Sequence, residues 1–397
     1  MSHANPLTGG PPGFDDARTQ RQKARAAGLH PDYWYPVEYD RAVRRGQVIE
    51  ARFWNEPIAL YRGGDGRLFA LENRCAHRQL PLSLGHVDGC RLTCMYHGWC
   101  YDTTGRLVGV PHPRAYGETL DRNALGLVPV KCETFGSFVF VALEPLRPTL
   151  REFLGEAAQW MEPAVRNLEA IGRASWIYDG NWKLWHENFR DNYHPQFAHG
   201  MVRDLTPDYA EDGSNHGLPP GHSLLRWPLK KPQFDRFDKR LKEVSGFDVN
   251  SMKALAGVRG APPPTPWRHI VALFPNCDYQ QPGEFAAGLQ VCNPLTVDRT
   301  RVDIVYMAPI GEDAESRRAR LQTAARTTGC WGEVSVDDCE AAERTTIGIK
   351  SRGTRYSNIG RGTAPGLVGD TLDEYSLREY YREYRHYLFD AALDTGQ

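Results

Sequence analysis

Short alternating runs of apolar and polar residues fill the chain from Tyr33 to about Glu144. Turn sequences separate these runs: Gly-Gly-Asp-Gly at 63–66, Asp-Gly at 88–89 and Thr-Gly at 104–105. A polar residue followed by glycine is typical of tight hairpin turns, because glycine tolerates the positive φ that such turns need. The pattern predicts a small all-β unit.

After this unit, the interval between apolar residues becomes that of a helix. Apolar residues recur at helical spacing over 151–171 and 181–203. Strand-like runs follow at 268–274 and 302–308. The second part of the chain is therefore predicted to be α+β.

The C-terminal stretch predicts a final helix. Thr371 and Glu374 form a candidate capping box at its start. Its expected apolar face is made of Leu377, Tyr380, Tyr381, Tyr384 and Leu388. Because 397 residues are enough for two cores, we expect an N-terminal extension at 1–32, a β domain at 33–146 and a larger domain at 147–397.

Charge and composition exclude several classes of partner. Lys plus Arg number 48 and Asp plus Glu number 49, so the net charge of -1 gives no reason to expect nucleic acid or an anionic membrane. The N-terminus lacks the apolar core of a secretory signal, and apolar runs such as 138–143 are too short to cross a bilayer. We expect a cytoplasmic protein that binds no membrane. Its nine cysteines, an odd number, argue for ligands or buried thiols rather than a disulfide framework.

Two loops each offer one thiolate and one imidazole. Cys75 and His77 form the first pair, and Cys94 and His97 form the second. Two cysteines and two histidines suit a Rieske 2Fe-2S cluster, in which the cysteines hold one iron and the histidines the other. A structural zinc site is the alternative, but zinc fingers use a cysteine pair followed by a histidine pair, whereas here the two types alternate.

A second group of candidate ligands lies at 181–199. His194 and His199, with a later carboxylate, can form the two-His-one-carboxylate triad that binds Fe(II). On an ideal helix the two imidazoles would point about 140° apart. Pro195 predicts a break between them that can bring them together, since proline disfavours helical geometry at the preceding residue. The alternative is two ordinary histidines near a proline kink.

Both groups together resemble the motifs of the Rieske non-heme iron oxygenases, the family of aromatic-ring-hydroxylating dioxygenase alpha subunits and Rieske monooxygenases. The resemblance covers most of residues 33–390, with Met95 and Gln79 standing where relatives often have Pro and Gly. It implies a Rieske β domain and a helix-grip (START-like) catalytic domain with an antiparallel sheet. It assigns the ligands of the two cluster irons to Cys75 and Cys94 and to His77 and His97.

The same resemblance assigns roles around the second metal. His194 and His199 would be iron ligands, and Asn188 would lie near the iron. Asp191 would hydrogen-bond His194 and, across a subunit boundary, a histidine that holds the outer iron of the cluster, here His97. This bridge implies a ring of subunits, so we expect a homotrimer. The alternative for Asp191 is a surface ion pair with its neighbour Arg190.

The third ligand is expected in 335–348, which resembles the late Asp-containing segment of the family. Asp338 matches the ligand position, and Asp337 beside it is the rival. Thr346 stands where relatives often carry Gln. We expect both acids to lie in a loop.

The expected activity is that of a terminal oxygenase. A separate ferredoxin or flavin reductase would reduce the cluster, the electron would pass through Asp191 to the mononuclear Fe(II), and O2 would attack an aromatic or heterocyclic small molecule. Because the chain lacks a dinucleotide fingerprint, NAD(P)H would be used only through the reductase. The alternatives are oxidative N- or O-demethylation, and a Rieske electron-transfer protein with a ligand-binding second domain.

Two sequence features bear on the substrate. The aromatic residues Trp227, Phe234, Phe237, Trp267 and Phe274 can line an apolar pocket or belong to the core. The segment 226–244 carries seven Lys/Arg against three Asp/Glu, which suits recognition of a carboxylate, docking of an acidic ferredoxin, or a solvated lid helix.

Overall fold

The computed structural model describes most of the chain, in two compact units. The first comprises the chain up to Phe153 and from Leu388 onward, and the second runs from Leu154 to Tyr387. The described ranges are 29–54, 56–143, 149–200, 213–228, 267–280, 287–351, 356–363 and 372–389, with a few single positions between them. Most of the expected N-terminal extension at 1–32 falls outside these ranges, as do most residues of the basic segment 226–244. None of the described helices is long and apolar enough to cross a membrane.

The first unit is built from strands, as the turn pattern predicts. Its strands are β1 (Tyr35–Tyr39), β2 (Val48–Phe53), β3 (Glu56–Arg62), β4 (Leu68–Glu72), β5 (His86–Asp88), β6 (Arg91–Thr93), β7 (Cys100–Tyr101), β8 (Leu107–Gly109), β9 (Pro129–Phe135) and β10 (Phe138–Ala142). They form an antiparallel six-stranded sheet in the order β1-β10-β9-β4-β3-β2 and a four-stranded sheet in the order β5-β6-β7-β8. Gly89 and Gly105 have φ of +58° and +83°, as two of the predicted turns require.

The small sheet and its loops share one apolar core. Leu92, Tyr101 and Leu107 from the strands pack with Leu82, which lies in a short 3-10 helix at Leu82–Leu84. The loops that precede β5 and follow β6 contribute Cys75, Cys94 and Trp99 to the same core. Packing with the four-stranded sheet therefore holds the two Cys-His loops in place.

Gly85 is required where these loops approach each other. A Cβ added at Gly85 would lie 2.1 Å from the carbonyl oxygen of Thr93, the residue before Cys94. We expect Gly85→Ala to destabilise the first unit by roughly 1–3 kcal/mol, as other overpacked positions do. Thermal unfolding followed by circular dichroism measures this loss. Gly64→Ala is the control, because its Cβ would meet the nearest atom at 3.4 Å, and an equal loss in both variants would contradict the steric explanation.

The second unit contains a seven-stranded antiparallel sheet and helices. Its strands are β11 (Leu168–Tyr178), β12 (Ser214–Leu218), β13 (His222–Pro228), β14 (Trp267–Leu273), β15 (Cys277–Gln280), β16 (Ala287–Thr296) and β17 (Arg299–Pro309), in the order β11-β17-β16-β15-β14-β13-β12. The described helices are α1 (Leu150–Leu154) at the division between the units, α2 (Ala157–Val165), α3 (Trp182–Asn188), α4 (Pro195–Ala198), α5 (Ala314–Thr327), α6 (Glu333–Ile349) and α7 (Tyr375–Phe389).

One face of this sheet is covered by helices. Gly172 and Gly217 have no side chains, and a Cβ at these positions would lie 2.6 Å from Leu321 of α5 and 2.5 Å from Glu379 of α7. On the same face Trp176 packs against Trp185 of α3, with ring centroids 5.5 Å apart. The expected α+β fold with an antiparallel sheet that holds a long helix is confirmed.

Two helix predictions are partly wrong. The predicted helix at 151–171 is α1, α2 and the beginning of β11, because Asn167 adopts a left-handed conformation with φ of +56° that ends helical geometry. The C-terminal helix begins at Tyr375, whose backbone N–H is accepted by the side chain of Asp373. Thr371 of the predicted capping box lies outside the described residues.

The strands predicted at 268–274 and 302–308 are confirmed as β14 and β17. Most of the aromatic residues that could line a pocket lie outside the described part of the chain. These are Phe234, Phe237 and the side chains of Trp227 and Trp267. Phe274 packs against Tyr380 and Tyr387 of α7, at 5.3 and 5.9 Å between ring centroids, and so belongs to the core.

Candidate functional site

The two Cys-His loops of the first unit bring their four side chains to one place. Cys75 and Cys94 are buried, His77 is half-buried and His97 is exposed. The two imidazole centroids lie 4.4 Å apart. Gly98 follows His97 with φ of +69°, and its N–H donates to the carbonyl of Cys94 at 3.1 Å, which closes the second loop on itself.

The surroundings of these four residues fit a cluster that is held by two thiolates and two imidazoles. Nδ1 of His77 is buried and has no hydrogen-bond partner among the described residues. Burial raises the pKa of Cys94, and the neighbouring Cys75 thiol raises it further. Tyr101 accepts the N–H of Ala76 at 3.0 Å and its hydroxyl lies 3.4 Å from Sγ of Cys75. A bound cluster would use this nitrogen of His77 and the two buried thiols as ligands, since thiolates and neutral imidazoles bind iron.

In the second unit, the chain changes direction twice between Asn188 and His199. α3 ends at Asn188, and the side chain of Asp191 accepts the N–H of Tyr193 at 2.7 Å in the turn that follows. Pro195 begins α4, which lasts one turn, and His199 then adopts an extended conformation. The predicted break is present, although His194 itself is helical, with φ of -63° and ψ of -33°. As a result the rings of His194 and His199 lie 5.2 Å apart.

Asp338 faces these two histidines from α6, so the prediction of a loop is wrong. Its Oδ1 atom lies 3.6 Å from Nε2 of His194 and 3.4 Å from Nε2 of His199. One ligand atom from each of the three residues lies within 4.8 Å of the others. Asn188 donates from Nδ2 to the same Oδ1 atom at 2.9 Å. This is the donor set that binds Fe(II) in facial triads.

The Nδ1 atom of each imidazole in this group lies close to a different carboxylate. Nδ1 of His194 lies 3.3 Å from Oδ2 of Asp191, and Nδ1 of His199 lies 3.4 Å from Oδ2 of Asp337. A proton on each Nδ1, donated to its carboxylate, leaves the Nε2 lone pair free for a metal. Because successive helix residues differ in direction by about 100°, Asp338 is buried while Asp337 is half-exposed.

The electrostatics of this group favour a bound cation. Burial raises the pKa of Asp338, and the charges of His194 and His199 only partly oppose this. Burial lowers the pKa of His194, but the hydrogen bond to Asp191 and the charge of Asp338 outweigh it and raise that pKa. A buried carboxylate beside two imidazoles is stabilised in its ionised form by a metal ion.

Comparisons with known proteins match both parts of the chain. The model of the Rieske [2Fe-2S] domain matches residues 33–131, and that of the ring hydroxylating alpha subunit (catalytic domain) matches residues 165–389. The second match alone covers more than half of the chain. This chain belongs to the ring-hydroxylating alpha-subunit family. It is therefore an oxidoreductase of the Rieske oxygenase type, as its motifs predict.

Relatives of this ring-hydroxylating alpha subunit include dioxygenases and a monooxygenase. The anthranilate 1,2-dioxygenase large subunit of Acinetobacter baylyi is 26% identical over 380 residues, which cover 86% of this chain and 78% of the relative. The 4beta-methylsterol monooxygenase of Methylococcus capsulatus is 44% identical over 115 residues, 29% of this chain and 31% of the relative. Naphthalene 1,2-dioxygenase with bound indole has the same fold, with a TM-score of 0.70 and 23% identity over 92% of this chain and 90% of that one.

Glu187, which belongs to the same sequence motif as Asn188, is a half-buried acid in this alpha subunit. Glu187 precedes Asn188, and the hydroxyl of Tyr381 in α7 donates to it. Burial raises the pKa of Glu187 to about 6, although Tyr381 and Lys183 act in the opposite direction. The motif indicated this position in the sequence, but the contact with Tyr381 joins segments that are far apart in the chain.

The alternative of an Asp191–Arg190 surface pair receives no support. Arg190 is fully buried, and it donates to the carbonyl of Gly221 at 2.8 Å and lies over the ring of Tyr380 at 4.5 Å. Asp191 is instead 3.3 Å from His194.

Proposed function

We propose that this alpha subunit is a terminal oxygenase component that uses electrons from a separate reductase or ferredoxin, and O2, to hydroxylate an aromatic or heterocyclic small molecule. The observation that carries the proposal is the convergence of His194, His199 and Asp338 within 4.8 Å, in a chain that also has a Rieske domain. When bound, the cluster supplies one-electron transfer and the mononuclear Fe(II) supplies activation of dioxygen.

Each proposed ligand is supported by its position. Cys75 and Cys94 would hold the inner iron of the cluster, because both thiols are buried. His77 and His97 would hold the outer iron, because their rings lie together at 4.4 Å and nearer the surface.

At the mononuclear site we assign distinct tasks to the carboxylates. Asp338 would be the ligand, and Asn188 would orient it through the hydrogen bond to Oδ1. Asp191 and Asp337 would fix the tautomers of His194 and His199. These assignments leave room at the metal for substrate and dioxygen, since three protein ligands do not complete its coordination.

We further propose that Asp191 links the two centres across a subunit boundary, within a homotrimer. Asp191 is 21% exposed, so one edge of its carboxylate is accessible to a partner. His97 is more fully exposed. Apolar side chains are exposed around both residues, as expected of surfaces that meet in an assembly. These side chains are Met95, Tyr96, Tyr193 and Phe197.

The electron source is proposed to be a separate flavin reductase, with or without a ferredoxin. The chain has no Gly-rich dinucleotide fingerprint, so NAD(P)H would act through that partner. All nine cysteines are free, which fits a reducing compartment, and we propose the cytoplasm.

Metal analysis tests this proposal. We expect about three irons and two acid-labile sulfides per chain in anaerobically purified protein, and about two irons in His199→Ala, because that variant loses one of three ligands of the mononuclear site. About two irons in both proteins would favour an electron-transfer protein with a ligand-binding second domain. Zinc in place of iron and sulfide would contradict the cluster assignment.

A further inference from the structure

The helix-covered face of the catalytic sheet contains a polar strip. In an antiparallel sheet, directly opposed residues share a face. Asp278 of β15 lies opposite Gln290 of β16 and opposite Ala272 of β14, and Gln280 of β15 lies opposite Ile270. Gln290 is in turn directly opposite Ile304 of β17, which packs with residues of α5. All these residues therefore lie on the face of the sheet that α3 and α5 cover. Asp278, Gln280 and Gln290 are all buried there.

Asp278 is only partly satisfied in this position. Its Oδ2 atom accepts a hydrogen bond from Nε2 of Gln290 at 3.2 Å. Its Oδ1 atom is buried, and no donor among the described residues has hydrogen-bond geometry to it. An unpartnered buried carboxylate oxygen is costly, so such an atom points to a group that is supplied by a ligand.

Asp278 is close to the proposed iron site. Burial raises the pKa of Asp278 well above the usual range, and hydrogen bonds from Gln280 and Gln290 and the charge of Arg190 partly oppose this. The nearby charge of Asp338 raises the pKa further, which reflects its closeness to the triad. Arg190, in the turn between Asn188 and His194, donates to the carbonyl of Ala272, which is directly opposite Asp278. The strip therefore lies on the side of the sheet that carries the triad.

Apolar residues adjoin the polar strip. Leu225 and Ile270 form a buried cluster with Phe189 and Leu372, and Ile270 is directly opposite Gln280. Phe189 follows Asn188, the residue that orients Asp338. Apolar side chains and one buried acceptor thus lie side by side near the triad, which is the combination that fixes the orientation of small organic molecules in their sites.

Asp278 has a purely structural alternative role as the counter-charge of Arg190. The guanidinium of Arg190 already contacts His186 and the carbonyls of Gly221 and Ala272. Asp278 can lower the electrostatic cost of that buried cation, but this role leaves Oδ1 without a donor.

We propose that Asp278, oriented by Gln290, anchors the substrate, and that the substrate is an apolar ring compound with an amine whose N–H donates to Oδ1 of Asp278. This inference rests on the proposed function, whose substrate class it specifies. A protonated amine compensates the buried carboxylate, whereas a ring without a donor leaves it unpaired. Burial raises the pKa of Asp278 and so favours its neutral form in the absence of a ligand. The positive charge of the amine would favour ionisation, and the hydrogen bond donated by Gln290 acts in the same direction.

Four probes with one skeleton test the proposal: indane, 2-indanol, 2-indanone and 2-aminoindane, which is protonated near neutral pH. Binding to the iron-loaded protein is measured by calorimetry. We expect 2-aminoindane to bind about tenfold or more tightly than indane, the size of one charge-assisted hydrogen bond. Asp278→Asn should remove this preference, so that 2-aminoindane binds that variant no more tightly than indane does. Asp303→Asn, the same substitution on the opposite face of the sheet, should keep it.

The outcomes separate the substrate class from the activity. Equal affinities for all four probes, or tightest binding of 2-indanone, would overturn the amine anchor. If Asp278→Asn does not fold, the ranking on the wild-type protein still decides. Iron is counted in the same preparation. About three irons without an amine preference contradicts only the anchor, whereas about two irons contradicts the proposed function.

Discussion

Asp338→Ala is expected to lose the mononuclear iron and keep the Rieske cluster. The substitution removes the carboxylate whose Oδ1 atom lies within 3.6 Å of both Nε2 atoms, so only His194 and His199 remain as ligands. Two imidazoles do not make the facial site that Fe(II) requires. Iron should fall from about three to about two per chain with sulfide unchanged at about two, and hydroxylation should be lost entirely.

Asp337→Ala is the matched control for this variant. It removes the neighbouring carboxylate on the same helix, which contacts Nδ1 rather than Nε2 of His199. We expect iron to remain near three per chain when Fe(II) is supplied in excess, with an affinity about 10–100-fold weaker, as for other residues that orient a metal ligand. Loss of iron in Asp337→Ala with retention in Asp338→Ala would exchange the two assignments.

The Rieske loops could be predicted from the sequence because everything that forms them is local. Cys75 and His77, and Cys94 and His97, are separated by one or two residues, and glycines mark the hairpins between them. A hairpin fixes its own register through its turn, so the two loops follow once the turns are known. The first unit confirms this pattern at the turns that contain Gly89 and Gly105.

The break near His194 was predictable only in part. Pro195 indicates that one helix cannot run through 181–203, and the structure has α3 and α4 there. The direction change, however, comes from the turn at Asp191 and Tyr193, and His194 keeps helical angles despite the proline. Proline disfavours that conformation locally, and the contacts of His194 with Asp191 and Asp338 outweigh the preference.

Contacts between distant segments could not be read from the sequence. Adjacent acids are ordinarily solvated, and nothing local shows that Asp338 is buried on a helix and close to His199. The same holds for Asp278, because its burial and its pairing with Gln290 depend on the register of two strands. Alternation along a strand predicts two faces and does not tell which one the helices cover.

The two histidines of the triad have similar surroundings, which allows two roles of a carboxylate to be distinguished. His194 and His199 each have an acid at Nδ1, namely Asp191 and Asp337, at nearly equal distances. If an acid behind the imidazole serves only to fix its tautomer, the two acids are equivalent. Asp191 has in addition the proposed contact with His97 of a partner subunit. The two acids therefore form an internal comparison for the link between the metal centres.

Asp191→Ala is expected to leave both metal sites filled and to slow turnover at least about 100-fold. The triad keeps its three ligands, and the cluster ligands in the first unit are untouched, so about three irons per chain should remain. What is lost is the carboxylate between His194 and the partner subunit. The measurement is a single turnover of the protein with its cluster reduced. O2 and the indane derivative that binds most tightly are added, and reoxidation of the cluster is followed by visible absorption.

Asp337→Ala distinguishes the link from simple orientation of an imidazole. It removes an acid at the same distance from the other histidine, so it should reproduce any loss that comes from tautomer control alone. A loss in Asp191→Ala that exceeds the loss in Asp337→Ala by about tenfold or more, with equal iron content, would support a path between subunits. Equal losses would reduce Asp191 to a positioning residue, and full coupled activity in Asp191→Ala would remove it from the reaction.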